Sequence, residues 1–299
     1  MRNAMILRLL PAAILALVGP EARAQPGTSG VDERRVLVEL FTSQGCNMCP
    51  EAEEILGDLG DADGQALTVA FHVDYFNEPW EDPFSETLYS RRQWTYNELY
   101  TKPKNPEYGL YYTPMMMVDG VQTVNGRDPR NLRLAVKAAR SRPPLVSIDA
   151  ELTPGAEPGS ADLRVAVSPL SSRVVGRELL VCAVLRDDRV ATEVPSGENA
   201  GKTLVNRYPA RKTEYEFATL EDDRTASESA FSFKVAPGLP TDRLGLVVFV
   251  QDRKTGAVCQ SAFVPWALPG TKADESEAVE PDPGATPADP PGDEPGPSR

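Results

Sequence analysis

Cys46 and Cys49 stand three positions apart in FTSQGCNMCPEAE (41–53), where the hydrophobic spacing changes from that of a buried strand to that of a helix. Upstream, RRVLVELFTS is a short Val- and Leu-rich run of the length expected for a strand covered on both faces. Downstream, Ala52, Ile55, Leu56 and Leu59 recur at helical spacing, and Pro50 falls in the first turn, where its missing N–H costs no helical hydrogen bond. Cys46 is therefore expected at a helix N-terminus, where partial positive charge and unpaired N–H groups favour thiolate over thiol. That makes Cys46 the expected nucleophile. Cys49, one turn inward, is the expected resolving thiol, close enough to attack a mixed disulfide on Cys46 and release the partner. Glu51, Glu53 and Glu54 work against the thiolate and temper its activation.

The surrounding segments repeat the alternation of strand and helix. ALTVAFHVDYF reads as a second strand, and PMMMVDG and VQTVNG as two strands joined at a glycine turn. DPRNLRLAVKAAR reads as a helix with Asp128 as cap, Pro129 as first residue and Leu132, Val136 and Ala139 inward. The order is β, α, β, insertion, β, β, α. The insertion, at about 74–112, is rich in aromatics; it predicts a helix starting at Asp82–Pro83, with Tyr89, Tyr96 and Tyr100 on one face. Those aromatics either pack a helical cap onto the sheet or wall the cysteines for a partner polypeptide. Thr113–Pro114 enters a strand either as a cis-proline facing the cysteines, as is common in redox folds of this type, or as an ordinary trans proline starting an edge strand; on the first reading Tyr112, Thr113 and Pro114 become the expected contacts for an extended substrate. Glu39 lies in the strand leading to the cysteines, where an unpaired carboxylate is costly to bury. It either points to water from an edge strand or sits beneath the helix start as a third catalytic group, taking the proton of Cys49.

Beyond Pro143–Pro144 the pattern turns to period-two segments separated by Gly, Pro and Asp, the signature of an all-β sandwich-like domain at 145–268. Cys182 and Cys259 fall in separate strands of it, and the expectation is a stabilising disulfide rather than two buried thiols. Gly197 and Gly201 bracket a turn of the kind that needs positive φ. Residues 270–299, rich in Pro, Asp and Glu, cannot bury enough apolar surface to fold and read as a disordered acidic tail. Residues 1–24, with Arg2 and Arg8 before an apolar run and ARA at its end, read as a secretory signal peptide cleaved near Ala24. The expected location is thus periplasmic or secreted, with no membrane span after cleavage. A formal charge of −13, from 44 acidic and 31 basic residues, argues against nucleic acid and anionic lipid as partners.

Two rival readings use the same residues. A Cu(I)-binding or copper-handling protein would use Cys46 and Cys49 with His72 or the methionines Met48 and Met115 to Met117. A closed zinc site lacks ligands, because His72 is the only histidine. A non-enzymatic binding module would instead treat the cysteine pair as a structural disulfide and present the Gly197–Gly201 turn. No cofactor is expected for the redox reading.

The motifs VELFTSQGCNMCPEAE, FHVDYFNEPWEDPF, YTPMMMVDG and GENAGKTL occur in order, and through them the chain resembles, from about Val36 to Val264, the secreted thioredoxin-like family catalogued as domain of unknown function 1223. The resemblance implies an α/β thioredoxin-like domain with a helical insertion (31–142), followed by the β-rich domain. The chain departs from the family at Phe76, where Trp is usual, and in VNRYPAR after GENAGKTL, where a His-containing continuation is usual. The combined expectation is an exported thiol–disulfide oxidoreductase acting through Cys46 and Cys49 on exported polypeptides or a redox partner protein.

Overall fold

The structure, a computed structural model, describes residues 33–62, 64, 66–99 and 109–268, which belong to one compact unit. The expected signal peptide, the expected acidic tail and Tyr100 lie outside these residues. Strand β1 (Val36–Thr42) pairs in parallel with β2 (Ala66–His72) and antiparallel with β3 (Met115–Val118), which in turn pairs with β4 (Gln122–Asn125). The sheet order is β2-β1-β3-β4, so β1 is interior, and every residue of β1 and β2 is buried. Alternation divides β1 between two cores. Val36, Val38 and Leu40 meet Ala52 and Leu56 of α1 (Cys49–Ala62) and Leu132 and Val136 of α3 (Pro129–Arg140). Leu37 and Phe41 face the other way. Helix α3 starts as its sequence dictates, with the Asp128 side chain accepting a hydrogen bond from Asn131 N and Pro129 in the first turn.

The remaining strands are β5 (Val146–Pro154), β6 (Ser160–Pro169), β7 (Glu178–Asp187), β8 (Arg189–Glu193), β9 (Thr203–Arg207), β10 (Ala210–Thr219), β11 (Ser227–Lys234), β12 (Leu244–Asp252) and β13 (Val258–Pro265). They form the sheets β10-β7-β12-β13 and β11-β6-β5 and the hairpin β8-β9. The middle strands β7 and β12 are covered on both faces. Val181, Leu185, Leu246 and Val248 pack with Leu163, Val165 and Phe231 of the three-stranded sheet. Cys182, Val184, Val247 and Phe249 pack with Leu37, Phe41, Val69 and Phe71 of the first sheet. Burying each large apolar side chain here stabilises by about 1.5–3 kcal/mol relative to exposure.

This architecture corrects the expected α/β thioredoxin-like fold followed by a separate sandwich. Strand makes up 44% and helix 20% of the structure, with three α-helices against thirteen strands among the described residues. One face of the first sheet is covered by the sheet β10-β7-β12-β13, so the two halves share a core. Short apolar runs cannot tell a strand capped by helices from one capped by another sheet, and that ambiguity produced the error.

Two further expectations are corrected. Helix α2 begins at Thr87 and runs to Leu99, because Asp82 spends its side chain on Gln44, His72 and Phe84 N instead of capping a helix. Tyr89 and Tyr96 are buried from α2 as the aromatic face required. Cys182 and Cys259 are both free and buried, on β7 and β13 with β12 between them. Strands two apart are separated by roughly 9–10 Å, beyond the ~7 Å reach of a disulfide. The two thiols also sit in different cores, since a β-bulge between Val250 and Gln251 breaks the alternation at Cys259.

Among the described residues no helix is long and apolar enough to cross a membrane.

Candidate functional site

The turn between β1 and α1 carries the cysteine pair. Cys46 N donates to Ser43 O at 3.1 Å and Cys49 N to Cys46 O at 3.2 Å, so the chain tightens into the helix across the two cysteines. Gly45 is required by contact: a Cβ there would lie 2.9 Å from the carbonyl oxygen of Phe76. Cys49 is fully buried and Cys46 is only 2% exposed, while Met48 is 45% exposed. The two thiols differ sharply. The Cys49 thiol, donating to Cys46, brings Cys46 down to about 6; burial opposes this, while the Thr113 side chain and the N–H groups of Met48 and Cys49 add to it. The Thr113 hydroxyl is buried with no nitrogen or oxygen partner. Cys49 moves well above the ordinary thiol range, through burial first and then its hydrogen bond and proximity to Cys46, with Thr42 acting the other way.

Beneath Cys49 lies a buried polar chain. Thr42 Oγ1 donates to Glu53 Oε1 at 2.9 Å, and Glu53 Oε1 stands 3.9 Å from His72 Nε2. His72 Nδ1 meets Asp82 Oδ2 at 2.7 Å, and Asp82 also accepts from Gln44 N and Nε2 at 2.8 and 2.9 Å. Burial pushes the Glu53 carboxyl up to about 6, partly offset by His72 and Thr42. Burial opposes charge on His72, but Asp82 and Glu53 carry it above its usual value.

Glu39 does not belong to this chain, which corrects its assignment as proton acceptor for Cys49. It is fully buried on the strand face shared with Leu37 and Phe41, opposite the face that meets α1. There it pairs with Arg92 Nε of α2 and accepts from Tyr96 OH at 2.6 Å. The buried carboxylate on the helical face of Cys49 is Glu53, four residues further along α1, and Thr42, which acts on Cys49, donates to it.

A distant element completes the site. Asn199, in the turn between β8 and β9, is fully buried and donates from Nδ2 to the carbonyls of Gln44 (2.9 Å) and Cys46 (3.0 Å). Its neighbour Glu198 accepts from Asn47 N at 2.9 Å. Gly197 and Gly201 take φ of 88° and 78°. Sequence reasoning singled out this turn without joining it to the cysteines; the one signal was its place among the four ordered motifs.

Of the expected substrate contacts, Thr113 and Pro114 adjoin the site: the Thr113–Pro114 peptide is cis and Thr113 acts on Cys46. Tyr112 is half-buried and its carbonyl accepts from Gln93 Nε2 at 2.7 Å. Tyr75, close enough to feel both cysteines electrostatically, packs against Tyr111 at a tilt with ring centres 4.6 Å apart, and Tyr111 meets Trp94 edge-on at 5.3 Å. The side chains named as helpers for copper have other surroundings. His72 is committed to Asp82, Met115 to Met117 are buried in β3, and among the described residues no three His, Cys, Asp or Glu side chains converge on a metal position.

Fold and site define a predominantly β protein with a buried, electrostatically divided cysteine pair held between its first sheet and a distant hairpin. The chain belongs to the family described as "Protein of unknown function (DUF1223)", whose model matches residues 37–251. The crystal structure of protein AGR_C_4864 from Agrobacterium tumefaciens is similar in fold, with TM-score 0.57 and 18% identity over 79% of this chain and 96% of that one. HBP35 of Porphyromonas gingivalis is similar with TM-score 0.58 and 13% identity over 84% of this chain and 81% of that one. No curated protein matches the chain.

Proposed function

We propose that the protein exchanges disulfides with polypeptides through Cys46 and Cys49. The observation that supports this best is the division of the pair, with a Cys46 thiol brought down to about 6 beside a Cys49 thiol pushed up. Near neutral pH Cys46 is then largely thiolate and Cys49 holds its proton. In the reaction, the Cys46 thiolate attacks one sulfur of a substrate disulfide; that S–S bond breaks and the other substrate sulfur leaves as thiolate. Cys49 then loses its proton toward Glu53 through the Thr42 hydroxyl and attacks the Cys46 sulfur. The mixed disulfide breaks, the Cys46–Cys49 disulfide forms, and the substrate departs reduced by two electrons. The reverse sequence oxidises a substrate dithiol. The exposed Met48 and the Tyr75, Tyr111 and Trp94 row offer apolar surface for the incoming chain. The charged leader and small-residue cleavage signal favour export as the setting.

Trapping tests the proposal. Cys49→Ser should accumulate mixed disulfides with partner polypeptides, visible on non-reducing gels, and Cys46→Ser should accumulate none. Equal trapping by both variants, or by neither, refutes the division of labour.

A further inference from the structure

Asn199 lies 153 residues beyond Cys46, yet its amide is placed against the backbone of the cysteine turn. Gln44 O and Cys46 O both accept from its Nδ2, while its Oδ1 accepts from Lys202 Nζ at 3.0 Å, so the amide's orientation is determined from both ends. The turn that holds it is rigid: Gly201 N donates to Val194 O, Lys202 N to Asn199 O and Val194 N to Lys202 O, all within 3.1 Å. Glycine at 197 and 201 supplies the positive φ this shape needs. The hairpin is in turn tied to α1, with Arg207 Nη2 and Tyr208 OH on Asp61 at 2.6 and 2.5 Å and Arg207 N donating to Glu53 Oε2 at 3.3 Å. Turn and helix therefore form one frame around residues 44–49.

Cys46 O accepts both Cys49 N and Asn199 Nδ2. Its peptide plane is thus fixed relative to the first turn of α1, the turn whose Met48 and Cys49 N–H groups face the Cys46 sulfur. We propose that Asn199 is a positioning residue for Cys46: its amide holds the Gln44–Cys46 backbone so that those N–H groups stay aimed at the sulfur. The β8–β9 hairpin, and with it the GENAGKTL motif, then belongs to the reactive site. The proposal rests on the redox reading only for the use made of the thiolate, not for the thiolate itself. Titratable neighbours of Cys46 are Cys49 on α1, Tyr75 on the 3-10 turn Asp74–Phe76, and Glu198 beside Asn199.

The test is the pH midpoint of Cys46 alkylation in the full chain, read site by site by mass spectrometry, in wild type, Asn199→Ala and Asn199→Ser. Wild type should show a midpoint near 6. Asn199→Ala should raise it by at least about one unit, lowering the thiolate fraction at pH 6 from about half to about a tenth. Asn199→Ser, which keeps one short donor in the same turn, should fall between. A merely structural role would lower the melting temperature and leave the midpoint alone. A folded Asn199→Ala or Asn199→Ser protein with an unmoved midpoint overturns the proposal, as does failure of both variants to fold. If the midpoint moves while Cys49→Ser traps no partner, Asn199 keeps its role and the redox reading falls instead.

Discussion

Glu39→Gln separates a structural carboxylate from a catalytic one. Glu39 is fully buried and its partner Arg92 nearly so, with side-chain exposures of 0% and 13%. Arg92 also reaches Tyr96 OH at 2.8 Å and Gln251 Oε1 at 3.2 Å, and its guanidinium lies 4.8 Å from the Phe249 ring centre. Replacing the carboxylate with an amide keeps the volume but leaves a guanidinium without its counter-charge. Breaking a buried pair in this way costs about 3–5 kcal/mol. For a domain of this size each kcal/mol moves the melting temperature by roughly 2–4 °C, so the variant should melt about 6–20 °C lower. The remaining neutral partners favour the lower half of that range. Because Glu39 faces away from α1, the alkylation midpoint of Cys46 and the rate at which Cys49 resolves a mixed disulfide should both stay at wild-type values. The assays are thermal unfolding by circular dichroism and stopped-flow release of a labelled peptide thiol. A variant that melts within 2 °C of wild type, or one that resolves tenfold more slowly while remaining folded, would refute the structural assignment.

Glu53→Gln should slow resolution by Cys49 while leaving the first attack by Cys46 intact, as single-turnover kinetics will report. Cys182 and Cys259, pushed by burial up to about 12 and about 11, should remain free thiols that resist alkylation until the protein unfolds; mass mapping of a 182–259 disulfide would contradict this. Stability should depend on pH in two opposite ways, measurable by urea unfolding. Burial raises Asp82, but His72 and the N–H groups of Gln44 and Phe84 bring it down to about 2 from 3.8, so its contribution is complete above pH 3.8 and is lost as pH falls through 2. Glu53, up at about 6 from 4.5, contributes most below pH 4.5 and less as pH rises through 6, a decline that Glu53→Gln should abolish. Gly120→Ala should destabilise by about 2 kcal/mol or more, because φ is +68° and the new Cβ would fall 1.9 Å from the Gly256 carbonyl oxygen.

The local pieces of the site were legible in the sequence because each depends on spacing within a few residues. The strand leading to Cys46, the helix after Cys49 and the Asp128 cap of α3 all follow from periodicity and turn chemistry. The orientation of Glu39 was not legible. Period two says that Glu39 and Leu40 face opposite sides, but not which side α1 covers. Glu53 stood in plain view among Glu51, Glu53 and Glu54, which read alike as opposing charge. In the structure Glu51 pairs with Arg127 at the surface while Glu53 turns inward to Thr42, a difference set by the helical face alone. Asn199 was illegible for another reason: a contact across 153 residues leaves no local trace. The near-continuous apolar runs of β7 and β12 did carry the signal of burial on both faces. Reading them that way would have pointed to a sheet packed between two others.

Equilibration in glutathione redox buffers, quenched by acid and read cysteine by cysteine, tests the central claim most directly. The account predicts that Cys46 and Cys49 interconvert between dithiol and disulfide with one midpoint, within the roughly −120 to −270 mV spanned by dithiol exchange proteins, while Cys182 and Cys259 stay reduced throughout. A Cys46–Cys49 pair that remains wholly reduced or wholly oxidised across that range would contradict it.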